Sequence, residues 1–411
     1  MQEKTTNYSA VFNNDLTNKI LFITIAICST WFFKLRGLGK GERVFELLGL
    51  VLIFLFLILW VNTFRNKVPV KRHFTFVVVV FMMSVLFSGL SCWYFNHQSL
   101  GDSLYQSRHL FYILFYPLLH YLLLKPEWIK EFIFYFSITA AAIYVLQYFA
   151  YPFKITEAKM FVDRGTLRIN LPAGVFRDLG YFMCVDMFFQ TNKKKYAYGA
   201  LLILVVAILS AFRSIIAIYI GLAVIYLLIN NRVKNKIMIV MMAVLVAIAG
   251  FIVFQDIIQA MIKWSEKEQA EGSDYIRVQA GNYYMNEILK NPIAGFLGNG
   301  PPDPSSSYGA KSTYNVLFNS YYLSDIGIIG SFYKFGLPFI VLIVFVMFKL
   351  VFIKLPPEYN FVRLFSIKQI LVLLISGSVF EDESGIVAFC IIFYLIDCER
   401  HKLAVENSGA T

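Results

Sequence analysis

Charge is what this chain has least of. Only 15% of its 411 residues are charged, against 58% hydrophobic, and its mean hydropathy is +0.63. A soluble domain carries about 25% charged and about 45–50% apolar residues, so this chain has too little polar surface to cover a globule in water. Disorder, collagen and coiled coil fail on the same composition. Cysteine is sparse: Cys28, Cys92, Cys184, Cys390 and Cys398 form no C-x-x-C pair and lie in or beside apolar segments. Neither a disulfide framework nor a zinc site is implied. The histidines (His73, His97, His109, His120, His401) are scattered without ligand spacing, and none falls between His120 and His401. No metal or cofactor is expected, there is no D-x-D motif for a sugar nucleotide with Mg²⁺, and no repeat relates the two halves.

What the chain does have is long apolar runs. A helix needs about 20 mostly apolar residues to cross a bilayer. About twelve such runs occur, at 19–35, 44–64, 74–96, 108–124, 130–151, 173–190, 196–212, 213–230, 237–254, 326–351, 366–380 and 384–398. The expected fold is therefore all-α, a polytopic bundle forming one membrane domain over 1–411. The net charge of +11 sits in short runs between these segments, which points to topology and not to nucleic acid. With the N-terminus inside, the inner loops carry Arg65, Lys67, Lys71 and Arg72; Lys125 and Lys130; Lys193 to Lys195; Arg232, Lys234 and Lys236; and Lys349, Lys354, Arg363 and Lys368. Lys34, Arg36, Lys40 and Arg43 disagree with this scheme. The polar first 18 residues offer no cleavage site, so the first span reads as an uncleaved anchor.

This orientation leaves 152–172 and 255–325 outside. A loop of about 70 residues is far beyond the usual 12–15 and is either functional or disordered. Its aromatic and aliphatic content argues for order, with helices expected over Met261 to Ala270 and over Asp274 to Leu289, then turns at Asn291-Pro292 and from Gly295 to Pro302. Ionisable residues at membrane depth are costly and mark working parts. The outer side gathers Arg164, Arg168, Arg177, Arg213, Arg277 and Lys334. The guanidinium fork pairs bidentately with phosphate, so an anionic headgroup is the natural partner. Arg177 and Asp178 can instead pair with each other, Lys334 can snorkel to the interface, and Asp186 suits a helix-packing hydrogen bond. Arg213 and Arg277 stand out because each sits among small or aromatic neighbours, and no acidic residue lies within a helical turn of Arg213.

The stretch Ile208-Leu209-Ser210-Ala211-Phe212-Arg213-Ser214 resembles the serine-arginine span of the O-antigen ligase and polymerase superfamily, the WaaL and Wzy membrane proteins. Arg277, Tyr284 and Asn291-Pro292 through Gly300 resemble that family's arginine helix and its following turn. Asn319 through Gly330 is similar to its exit into the next span. The likeness covers about residues 200 to 350. The family's ligases carry a histidine just before the position of Asn319; here it is Phe318, which points to the polymerase branch.

The resemblance implies a metal-independent glycosyltransferase of the bacterial inner membrane. It would move a glycan from a lipid-diphosphate (undecaprenyl-diphosphate-type) donor to a lipid-linked acceptor on the outer side. Arg213 and Arg277 would stabilise the departing diphosphate, and Glu287 or Asp325 would act as base. Arg164, Arg168, Arg177, Tyr284, Asn319 and Tyr321 would bind substrate, with membrane lipid and a chain-length regulator as further partners. The alternatives are ligase-type transfer to a lipid acceptor, and a transporter or flippase of a lipid-linked glycan or anionic solute.

Overall fold

The computed structural model describes residues 16–37, 41–64, 70–163, 166–229, 255–272, 275–374 and 379–409. The expected span at 237–254 and Arg164 lie outside these residues. The described chain is mostly helical: α1 (Leu16–Cys28), α2 (Glu42–Phe64), α3 (Thr75–Asn96), α4 (Leu100–Gln106), α5 (Phe115–Leu122), α6 (Pro126–Ala150), α7 (Gly174–Thr191), α8 (Lys194–Leu209) and α9 (Arg213–Ile229). The large loop contributes α10 (Gln255–Glu271), α11 (Ile276–Lys290), α12 (Pro292–Leu297) and α13 (Ser307–Asn319); α14 (Ile328–Phe352), α15 (Asn360–Leu373) and α16 (Glu383–Gly409) complete the chain. The all-α expectation needs one correction. An antiparallel hairpin, β1 (Lys159–Asp163) and β2 (Thr166–Asn170), occupies the segment expected only as an external connection. Its alternating Met160, Val162, Leu167 and Ile169 around a two-residue gap ending in Gly165 is a hairpin signal.

Among the described residues three helices, α3, α6 and α14, are long and apolar enough to cross a membrane. On α3, Phe76, Val79, Met83, Leu86, Phe87 and Leu90 are all exposed and recur every three or four residues. That leaves a continuous apolar stripe of the kind that marks lipid contact. Two expected spans are broken. The run at 108–124 is a 3-10 segment (Arg108–Leu114) followed by the short α5, because Pro117 lacks an N–H and its ring opposes the carbonyl four residues earlier. That carbonyl, on Ile113, instead faces the Cys390 thiol at 3.5 Å. In α14 the helix is interrupted at Gly336, whose φ of 78° with ψ of -179° is a conformation essentially confined to glycine. There Gly298 and Gly336 bring two backbones into direct contact, and a Cβ on either would collide with the other strand of chain.

The last helix is the pillar of the bundle. From Ile386 to Ile396 every residue is fully buried, as expected of a helix apolar all round. Contacts among loops and helix ends sort into two sets. At one end, Arg36 N donates to Ile155 O (2.9 Å), Asn96 Nδ2 to Asn299 O (3.3 Å), Gln98 Nε2 to Pro301 O (3.0 Å), and Lys334 pairs with Glu381. At the other, Tyr116 and His73 N donate to Asp397, Tyr394 Oη to Leu124 O (2.9 Å), and Gln190 Nε2 to Pro357 O (2.8 Å). The residues of the first set belong to the side read as outer, and those of the second to the side read as inner.

The large loop has its own core. Ala280, Tyr284, Ile288, Tyr308, Ile326 and Tyr333 pack together and against Cys92 near the end of α3. Asn291 caps α12 by accepting from Ala294 N at 3.1 Å.

Candidate functional site

A cavity of ≈ 580 Å³ opens where the hairpin meets the helical bundle. Its polar wall is built by Arg168 on β2, Arg177 and Asp178 on the first turns of α7, Lys368 and Gln369 on α15, and Asp382 before α16. Ile203, Val206, Ala207, Ile215 and Val372 form the apolar wall. A mostly apolar cleft with a few convergent polar groups is the usual form of a small-molecule site.

The pairing of these charges differs from the sequence expectation. Asp178 does not pair with its neighbour Arg177. It pairs with Lys368, 190 residues away, and accepts a further hydrogen bond from the Tyr219 hydroxyl. Lys368 therefore belongs to the buried wall of the cavity and not to the inner basic loop, where counting cations by position had put it. Both side chains are almost fully buried, so the pair must be kept intact: breaking one buried partner leaves an uncompensated charge costing about 3–5 kcal/mol. Lys334 does not snorkel but pairs with Glu381. Asp186 takes the packing role, accepting from Tyr226 (2.5 Å), Gln190 (2.7 Å) and Phe361 N (3.0 Å).

With Asp178 already satisfied, Arg177 is left facing the cavity. Its guanidinium lies over the Tyr144 ring at 5.2 Å, and its buried Nη1 donor has no hydrogen-bond partner. Gln369, only 3% exposed, likewise has a buried Nε2 donor without a partner. A buried donor left unmet costs about 1–3 kcal/mol, and more when charged. Two of them on one cavity, beside the Arg168 guanidinium stacked 5.4 Å from Phe212, make a surface that favours an oxygen-rich anion.

The remaining expected site residues fall elsewhere. Arg213 opens α9 and donates to Ser265 on α10; its neighbours Phe212 and Ile215 line the cavity, but Arg213 does not. Arg277 lies in the first turn of α11, half-buried, 6.0 Å from the Tyr275 ring, and is also off the cavity. Glu287 on α11 is held by Lys290 (2.5 Å) and Lys311 (2.7 Å). Burial pushes its carboxyl up, but the two lysine hydrogen bonds outweigh this and hold it below the usual carboxylate range, which suits an ion pair better than a base. Asp325, in a 3-10 turn, accepts from Ser324 at 3.2 Å. Tyr284 is buried in the loop core, donating to Tyr321 O at 3.3 Å, and the Tyr321 ring lies 5.6 Å from Tyr283. Asn319 is exposed and donates to Asn315 (3.3 Å). The fold thus unites Arg168 and Arg177 in one place and Glu287, Tyr284, Tyr321 and Asn319 in another.

Sequence reasoning missed Gln369 and the Asp178–Lys368 pair. A lysine followed by an amide inside an apolar helix was the available signal. It also missed Glu46, His109 and Glu383, which the fold brings together from distant positions. No family model matches the chain, and no curated protein matches it.

Proposed function

We propose that the protein is a membrane polysaccharide polymerase with about twelve crossings, resembling the O-antigen polymerases, and that the arginine-lined cavity seats the diphosphate of its lipid-linked donor. The observation that carries this reading is the pair of unmet donors, Arg177 Nη1 and Gln369 Nε2, facing the same cavity as Arg168. The separation of these end contacts into two sets supports alternating crossings, with the cavity on the outer side.

In the proposed reaction the bond between the donor sugar's anomeric carbon and the diphosphate oxygen breaks. A hydroxyl of the acceptor glycan forms the new glycosidic bond and gives up its proton. Negative charge develops on the leaving diphosphate, where preorganised cations stabilise it. Arg177 and Arg168 take this role, and Arg213 and Arg277 act from the loop side on the glycan or its second phosphate. Asp382, on the cavity wall and accepting from Gly385 N, joins Glu287 and Asp325 as a candidate proton acceptor.

Ligase-type transfer has less support because Phe318, 71% exposed on α13, stands where those enzymes carry histidine. Transport differs by experiment. Purified protein given a lipid-diphosphate oligosaccharide should produce a ladder of longer glycans without ATP or an ion gradient. Uptake into vesicles with no ladder would replace this reading with a transporter.

A further inference from the structure

We propose that Glu46, His109 and Glu383 form a binding site for a divalent transition-metal cation that ties α2, the 3-10 segment after Arg108, and the start of α16 together. One imidazole nitrogen and two carboxylate oxygens from these residues all lie within 4.8 Å of one another. A cation bound at about 2.0–2.2 Å holds its nitrogen and oxygen ligands roughly 3–3.5 Å apart, so small side-chain shifts close the site. Glu46 and Glu383 are 4% and 8% exposed, so two carboxylates are desolvated side by side. Like charges at this range strongly disfavour joint ionisation unless something positive lies between them.

Among the described residues, an ion pair engages only one of the two carboxylates. Arg108 binds Glu46 Oε2 at 2.8 Å and accounts for one negative charge. Glu46 Oε1 is buried with no hydrogen-bond partner. A carboxylate with one oxygen held by a second group and the other free is how a metal ligand is commonly oriented. One imidazole with two carboxylates suits Zn²⁺, which the affinity order favours over Mn²⁺.

The consequence is local order at the outer end of the bundle. Glu383 begins the central helix, and the preceding residue, Asp382, lines the cavity. An ion held by Glu383 would fix that wall. The site does not depend on what the cavity binds.

The test uses the full chain purified in detergent, stripped with chelator and titrated with Zn²⁺. Elemental analysis after gel filtration should find one equivalent retained, with thermal stability rising with Zn²⁺ concentration. X-ray absorption should show only nitrogen and oxygen neighbours near 2.0–2.2 Å. His109→Asn and Glu383→Gln should each lose the retained metal and the thermal shift, while His401→Asn should keep both. Should one variant fail to fold, the other decides. Equal uptake by wild type and His109→Asn, no uptake by wild type, or sulfur in the coordination shell would each overturn the proposal; uptake of none would mean that the two carboxylates share a proton instead.

Discussion

The cavity beside the hairpin and the tyrosine-rich core of the large loop are both polar and aromatic, and the sequence marks both. They differ in what is satisfied. In the loop, Glu287 has a lysine on each oxygen, Tyr284 donates to Tyr321 O, and Asn315 donates to the Tyr283 hydroxyl at 3.0 Å. In the cavity, the Asp178–Lys368 pair is complete, yet Arg177 and Gln369 keep buried donors that meet nothing. Satisfied polar groups hold a structure together. Unsatisfied ones, retained at a cost, point to a ligand.

The sharpest way to break this comparison is Arg177→Ala. If the cavity is the working site, glycan transfer should fall by about 10²–10³-fold, as removing one preorganised donor does elsewhere, with membrane insertion unchanged. Arg177→Lys should recover part of it, because a point charge replaces a fork. The glycan ladder on a gel is the measurement, and an unaltered ladder would move the site to the loop. Next in size is Lys368→Met, which strands Asp178 and should cost about 3–5 kcal/mol in detergent unfolding, whereas Lys368→Met with Asp178→Leu should restore most of that loss.

Gln369→Leu separates the two regions most cleanly. It removes a buried unmet donor, so the empty protein should be stabilised or unchanged, by up to about 1–3 kcal/mol, while transfer weakens. Loss of stability together with activity would mean that Gln369 has a structural partner.

The smallest expected effect lies in the loop. The lysine hydrogen bonds that outweigh burial leave the Glu287 carboxyl below its ordinary value. The sign follows: its stabilisation is present above the unfolded carboxylate range near about pH 4 and is lost as pH falls through the lower folded value. Lys290 and Lys311 are largely exposed, so the effect is modest. Limited proteolysis of the loop should quicken at acid pH, and Glu287→Gln should flatten that dependence without changing transfer at neutral pH.

Hydropathy and local pattern already disclose the helical bundle, the order of the large loop and its helices near α10 and α11. Period and composition are local quantities, and these elements are local. Arg168 and Arg177 are also visible as costly cations in and beside a segment read as external. The pairing of Asp178 with Lys368 and the placement of Gln369 are not, because they depend on how α7 and α15, 190 residues apart at this pair, pack together. Arg213 and Arg277 draw notice through the family likeness, but local context says nothing of Ser265 or of which arginines reach the cavity. The hairpin escaped notice because ten residues of strand are a weak signal among apolar helices.

The central claim is that Arg177 holds a lipid diphosphate in this cavity. Its most direct test is equilibrium binding of undecaprenyl diphosphate to the purified protein and to Arg177→Ala in the same detergent. A charge-assisted hydrogen bond worth about 1.5–3 kcal/mol predicts affinity weakened by roughly 10- to 150-fold, with undecaprenol, which lacks the diphosphate, binding both proteins alike. Equal affinity of both proteins for the diphosphate would contradict the account.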